Sequence, residues 1–177
     1  MSLHSQPLQD HGEGFFTWHA YDPACKAELW STAYFSSEVT ILFDPIDWPR
    51  ENTKPKGVVE IVKTNTNHDR QSETFVQGWN ARLSNQPPSF QAIPLPGAGD
   101  KETAYFHPAT GTLVVGDALI HLSPHPLMPL PEKYCTDSTL LRTSLTHLLS
   151  LPIRRIFFAH GAPILHDGLH QIQKLLS

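Results

Sequence analysis

Apolar residues in the first third of the chain come in short runs, not at helical spacing. Phe15 to Ala20, Ser31 to Phe35 and Val39 to Phe43 are aromatic or β-branched stretches separated by Asp/Pro and Ser-Ser-Glu punctuation, which predicts a series of strands. Val58 to Val62, interrupted only by Glu60, predicts a buried strand that delivers Thr64 to Arg70 at its carboxyl end. The period then changes. Phe75, Trp79 and Leu83 recur every four residues, a single apolar stripe that predicts an amphipathic helix over Arg70 to Leu83. Beyond the Pro87-Pro88 break, Phe90 to Ile93, Thr103 to Phe106 and Thr112 to Val115 predict strands, with a hairpin turn at Pro108-Ala109-Thr110-Gly111. Asp137 is placed to cap a helix carrying Leu140, Leu141, Leu145, Leu148 and Leu149. Ile153 to Ala159 predicts a strand, and Gly168 to Leu176 a last helix.

Strand runs alternating with helices in both halves predict an α/β protein with two sheets sandwiched between helices. At 177 residues the expectation is a single domain over residues 1–177, with residues 1–14, polar and containing Asp10 and Glu13, as a flexible or loosely packed start. Many of the 16 prolines fall in 45–55, 87–96 and 124–131. Apolar elements resume on either side, so these stretches are loops and not linkers. The segment between Asp44 and Val58 leaves room for little helix. No repeat of fixed period and no low-complexity tract is present.

A formal charge of −4 with no Lys/Arg cluster argues against a nucleic-acid partner, which needs basic residues gathered on one face. No run approaches the roughly 18 apolar residues of a membrane span, and residues 1–14 lack the basic and apolar regions of a signal peptide. The expected compartment is the cytoplasm. Cys25 and Cys135 lack metal-ligand spacing and do not make a disulfide framework. No G-x-S-x-G elbow, P-loop or dinucleotide-binding glycine pattern occurs, so serine-hydrolase and nucleotide readings have no support.

Chemistry concentrates at Thr64-Asn65-Thr66-Asn67-His68-Asp69-Arg70. This stretch resembles the T-H-x-H-x-D-H signature of the metallo-β-lactamase superfamily, with Asn65, Asn67 and Arg70 where imidazoles would stand. Later landmarks follow in order. Ile41-Leu42-Phe43-Asp44-Pro45 is similar to the early I-L-I-D strand, Gly116-Asp117 to the strand-ending G-D, and His160-Gly161 to the late H-G. Pro96-Gly97-Ala98-Gly99 stands at the P-G-H landmark with its histidine replaced. The likeness runs from about Phe15 to Leu176. Closer still, Thr64-Asn65, His68 and Arg70, with Gly116 to Ile120 and His160-Gly161-Ala162-Pro163-Ile164, resemble a branch carrying T-N-x-x-H-x-R, G-D-A-L-I and H-G-x-P-I. The resemblance implies a minimal four-layer αβ/βα sandwich with its site at the strand ends.

It also implies a cleft gathering Asn65, Asn67, His68, Asp69, Arg70, Asp117 and His160. In the family two metals share a carboxylate and activate a bridging water. Asp69, Asp117 and His160 are retained as ligands. Asparagine carbonyls are poor substitutes for imidazole, and Ala98 offers no donor. Guanidinium has no lone pair for a metal, so Arg70 stands as a cation at a ligand position. At about 4 Å from a carboxylate it would contribute roughly 4 kcal/mol at an effective dielectric near 20, which predicts a charge-assisted hydrogen bond from Arg70 to Asp69 or Asp117. That arginine reads either as a clamp on an anionic substrate or as a structural salt bridge. His68, His121 and His125 read either as lining for the cleft or as ordinary surface and structural imidazoles. Two functions follow, of different classes. One is a non-dinuclear or metal-free relative that binds a small anionic ligand or a partner protein. The other is a divergent hydrolase with one zinc, iron or manganese ion on Asp69, Asp117 and His160.

Overall fold

The computed structural model describes residues 3–177, which divide into two compact units. The first comprises the chain to Lys63 together with His68–Pro87; the second comprises Thr64–Asn67 and Pro88–Ser177. The exchange of residues 64–67 means that the motif stretch itself is split between the units.

The first unit is a six-stranded sheet, β1 (Gln9–Asp10), β2 (Phe15–Asp22), β3 (Ala27–Phe35), β4 (Val39–Phe43), β5 (Val58–Val62) and β6 (Arg82–Leu83), in sequence order, with helix α1 (Ser72–Trp79). Strands β1 to β4 pair antiparallel, and β5 lies parallel to both β4 and β6. Its core gathers Trp18, Leu42, Ile46, Val59, Ile61 and Phe75, all buried. Trp48 meets the rings of both Trp18 and Trp79 edge-on at 5.3 and 5.2 Å, and Trp30 stacks on His19 at 4.3 Å. These ring contacts make the tryptophans packing anchors.

The second unit holds a four-stranded sheet ordered β12 (Arg155–Phe158), β9 (Thr112–Val115), β8 (Thr103–His107), β7 (Gln91–Pro94), and a small antiparallel pair, β10 (Leu119–Ile120) with β11 (Met128–Pro129). Strand β12 is parallel to β9, and the rest of the sheet is antiparallel. Helices α2 (Ser138–Leu145) and α3 (Gly168–Leu176) contribute Leu141, Leu145 and Ile172 to a core shared with Leu113, Val115 and Ile156. Asp137 caps α2, its carboxylate accepting from the Leu140 backbone N–H at 2.9 Å.

Two expectations need correction. The helix expected over Arg70 to Leu83 is confined to Ser72–Trp79. Arg70 at φ 41° precedes it, Asn80 at φ 54° ends it, and Leu83, 60% exposed, pairs with Ile61 as sheet edge. Backbone turns decided what the four-residue spacing could not. The strand expected from Ile153 starts at Arg155, because the Ile153 N–H is taken by the Leu151 carbonyl at 2.8 Å. Residues 3–14, expected as a flexible or loosely packed start, make defined contacts. The Leu3 N–H donates to Asp47 at 2.6 Å, Ser5 is buried, and β1 pairs with β2. Met1 and Ser2 lie outside the described residues.

Candidate functional site

In the first unit the functional side chains hang on Asp44. Strand β4 ends at Phe43, and Asp44 turns into the left-handed region at φ 45° while its N–H donates to the Val62 carbonyl at 2.9 Å. Its carbonyl accepts from the Ser31 hydroxyl at 2.7 Å and from Arg70 Nη1 at 2.8 Å. Its carboxylate Oδ2 lies 2.9 Å from His68 Nδ1, and both side chains are nearly inaccessible, 3% and 7%. A buried carboxylate accepts, so Nδ1 donates, leaving Nε2 as the ring's lone-pair nitrogen. That tautomer is the one an acid partner imposes on a metal-binding imidazole.

Arg70 Nη1 also donates to the Trp30 carbonyl at 2.6 Å, so the guanidinium bridges β3 to the end of β4. Asp69 turns elsewhere. Its side chain is 68% exposed and meets Lys63 Nζ at 3.2 Å. Of the two alternative partners expected for Arg70, Asp69 instead meets a lysine in solvent.

In the second unit a buried acid, Glu102, plays the corresponding part. It accepts the Ala118 N–H at 3.0 Å on Oε1 and Asn65 Nδ2 at 2.8 Å on Oε2. Asn65 Nδ2 reaches Asp117 Oδ2 as well, at 3.0 Å, while its Oδ1 accepts the Asn67 N–H at 2.9 Å. The amide thus joins two carboxylates as donor, and the bond from Asn67 fixes which end is nitrogen. Asp117 Oδ1 faces His160 Nε2 at 3.2 Å, with the two side chains 19% and 24% exposed. His121 N–H donates to the His160 carbonyl at 3.1 Å, and His121 Nδ1 lies 2.7 Å from the Ala162 carbonyl, again leaving Nε2 as acceptor. His125 is exposed.

The motif glycines have steric causes. A Cβ on Gly116 would lie 2.3 Å from Thr64 Oγ1 and 2.7 Å from Glu102 Oε1. On Gly161, at φ 111°, it would lie 1.9 Å from the His121 carbonyl oxygen. Gly97, at φ 103°, lets α2 approach until Leu141 N is 2.2 Å from where a Cβ would be. The Pro96-Gly97 landmark is thus kept for helix docking. Ala98 beside it is fully buried in the unit's apolar core.

Three of the positions aligned with the family's ligands are occupied in other ways. Ala98 supplies a methyl group, Asn65 spends its amide nitrogen on two carboxylates, and Arg70 spends Nη1 on carbonyls. Thiol chemistry finds no support either. Burial pushes both thiols up, Cys25 further by its hydrogen bond to Asp22 and Cys135 by the charge of Glu132, so neither is an activated thiolate. Sequence reasoning missed Glu102. Its one signal was an acidic residue directly ahead of the apolar strand 103–107. Asp44 was visible in the I-L-F-D run, but its hold on His68 was not.

No family model matches the chain, and no curated protein matches it by sequence. Solved structures do match. DIM-1 metallo-beta-lactamase superposes with a TM-score of 0.71 at 11% identity, over 99% of this chain and 97% of that one. A metallo-beta-lactamase from Erythrobacter litoralis gives 0.67 at 14% identity over 96% and 91%. An archaeal metallo-beta-lactamase superfamily protein from Sulfolobus tokodaii gives 0.64 at 12% identity over 84% and 78%. The chain is a mixed α/β protein with the metallo-β-lactamase fold. Among the described residues no helix is long and apolar enough to cross a membrane.

Proposed function

We propose that this chain is a metallo-β-lactamase-fold protein with a non-dinuclear centre that takes at most one divalent ion and acts on a small anionic substrate, the available donors being His68 in the first unit and Asp117 with His160 in the second. Imidazole and carboxylate donors in small number suit a divalent ion that keeps open positions, as catalytic ions do. The observation that carries the reading is the Asp44–His68 pair, a buried carboxylate presenting Nε2 of an imidazole one position before the Asp69 that the motif favours. When bound, a divalent ion polarises a substrate oxygen and lowers the pKa of its water toward neutrality. The protein's own part is positional. Asp44 orients His68, and Asn65, pinned by Glu102, orients Asp117. The 3.2 Å contact between Asp117 and His160 sets a carboxylate oxygen and an imidazole nitrogen side by side as candidate donors.

A second reading, a metal-free protein binding a small anion or a protein partner, draws on one observation. Asn65 and His160 between them already engage both oxygens of Asp117. Titration of chelator-stripped protein with zinc, manganese and iron(II) separates the readings. The expected result is one site per chain, bound more weakly as pH falls and lost in His68→Ala. No site for any of the three ions leaves the metal-free reading, and two tight sites overturn the non-dinuclear centre itself.

A further inference from the structure

The second unit carries a groove that none of the chemistry above uses. It runs between α2, the end of α3 and the segment that follows β10, with a cavity of about 430 Å³, within the range of small-molecule sites. Its walls are apolar: Leu141 and Leu145 are buried, while Met128, Leu130 and Leu175 remain only partly covered. One cation, Arg142, stands at its edge. Among the described residues Arg142 has no acidic partner, since its only hydrogen bond goes from Nη2 to the Leu176 carbonyl at 3.0 Å. That bond anchors the guanidinium at the α3 wall and leaves its other N–H groups without a protein acceptor. Glu132, the acid that lines the groove, accepts the Ser138 hydroxyl at 3.1 Å.

We propose that this groove binds a small amphipathic carboxylate, its apolar part against Leu141, Leu145 and Leu175 and its carboxylate on Arg142. The apolar walls favour a chain or ring, because covering half-exposed leucine and methionine removes apolar area from water. Charge fixes the head group. Guanidinium presents paired N–H donors that match a carboxylate, and here one with no acidic partner among the described residues sits at the rim of a mainly apolar cavity whose one acid, Glu132, is engaged by Ser138. An alkyl ammonium would face Arg142 with like charge, and a neutral alcohol would leave it unsatisfied.

Decanoate, decanol and decyltrimethylammonium, each below its micelle concentration, test this by calorimetry and by chemical-shift mapping on the full chain. The expected result is saturable one-to-one decanoate binding with shifts at the Met128, Leu141 and Leu175 methyls, and at least roughly tenfold weaker binding of the other two. Arg142→Met keeps the apolar stem and should lose a similar factor for decanoate while leaving decanol unchanged. Leu175→Gln, on the partly exposed wall, should weaken both probes. Absence of saturable decanoate binding would overturn the proposal. Equal affinity for decanol, shifts mapping elsewhere, or full affinity in Arg142→Met would do the same. A groove already filled by a second copy would appear as a concentration-dependent dimer that decanoate cannot displace, and also counts against it.

Discussion

The two units hold their functional side chains in different ways, and the difference lies in where left-handed backbone falls. In the first unit the turns that carry His68 and Arg70 put ordinary residues there, Asp44 at φ 45° and Arg70 at φ 41°. Each non-glycine left-handed residue costs on the order of 1–2 kcal/mol, and here the side chain repays it: the Asp44 carboxylate takes His68, and the Arg70 guanidinium takes the Trp30 and Asp44 carbonyls. In the second unit the corresponding turns use Gly97 and Gly161, because another backbone occupies the place of a Cβ. At these particular turns the first unit uses a side chain that works, and the second leaves no room for one.

The largest effects should follow from violating the second arrangement. Gly161→Ala adds both a strained φ and a contact that backbone atoms cannot relieve, so a loss of about 4 kcal/mol or more in denaturant melts is expected. Asp44→Gly should behave differently. It relieves the turn but strands His68 without its acceptor, a net loss of about 2 kcal/mol. If Gly161→Ala were the milder of the two, steric approach would not be what distinguishes the units.

Next in size is the exchange of the buried acids. Glu102→Ala leaves the Ala118 N–H and one Asn65 N–H without an acceptor in a site 2% exposed, and should cost about 3 kcal/mol. Glu102→Gln keeps an acceptor oxygen and should recover part of that. Both Glu102 variants should also weaken metal binding, since Asn65 then no longer fixes Asp117. Unchanged metal affinity in a folded Glu102→Gln protein would show that Asn65 and Asp117 hold their geometry without Glu102. Asp137→Ala, which removes the α2 cap, should cost only about 1 kcal/mol in the same melts.

How much of this was legible follows the same physical line. Strands β2 to β5, β8 and β9 announce themselves because sheet burial writes continuous apolar runs, and α3 because its stripe has no competing turn. The helix α1 was overextended because Asn80 ends it through a backbone angle that apolar spacing does not encode. The two-residue strands β1, β6, β10 and β11 are too short to show a period. At the site, ordered landmarks pointed to Asp117 and His160, which lie 3.2 Å apart. They could not show that Asn65 is a donor to two carboxylates, nor that Glu102 is one of them. Those bonds join residues separated by 37 and 52 positions, and no local pattern records such pairings.

The smallest effect is the one that best separates motif from geometry. Asp69 is the residue the T-H-x-H-x-D-H resemblance marks most clearly as a ligand, yet its carboxylate is 68% exposed and paired only with Lys63 at 3.2 Å. An exposed ion pair of this kind contributes about 0–1 kcal/mol and is screened by salt. Asp69→Asn should therefore shift the denaturation midpoint by no more than a few tenths of a kcal/mol, and should leave the affinity for zinc, manganese and iron(II) where it was. His68→Ala, one position away, should abolish it. If instead Asp69→Asn weakens metal binding as strongly as His68→Ala does, the ion takes the position that the motif assigns. The exposed carboxylate would then have to swing away from Lys63 to reach it.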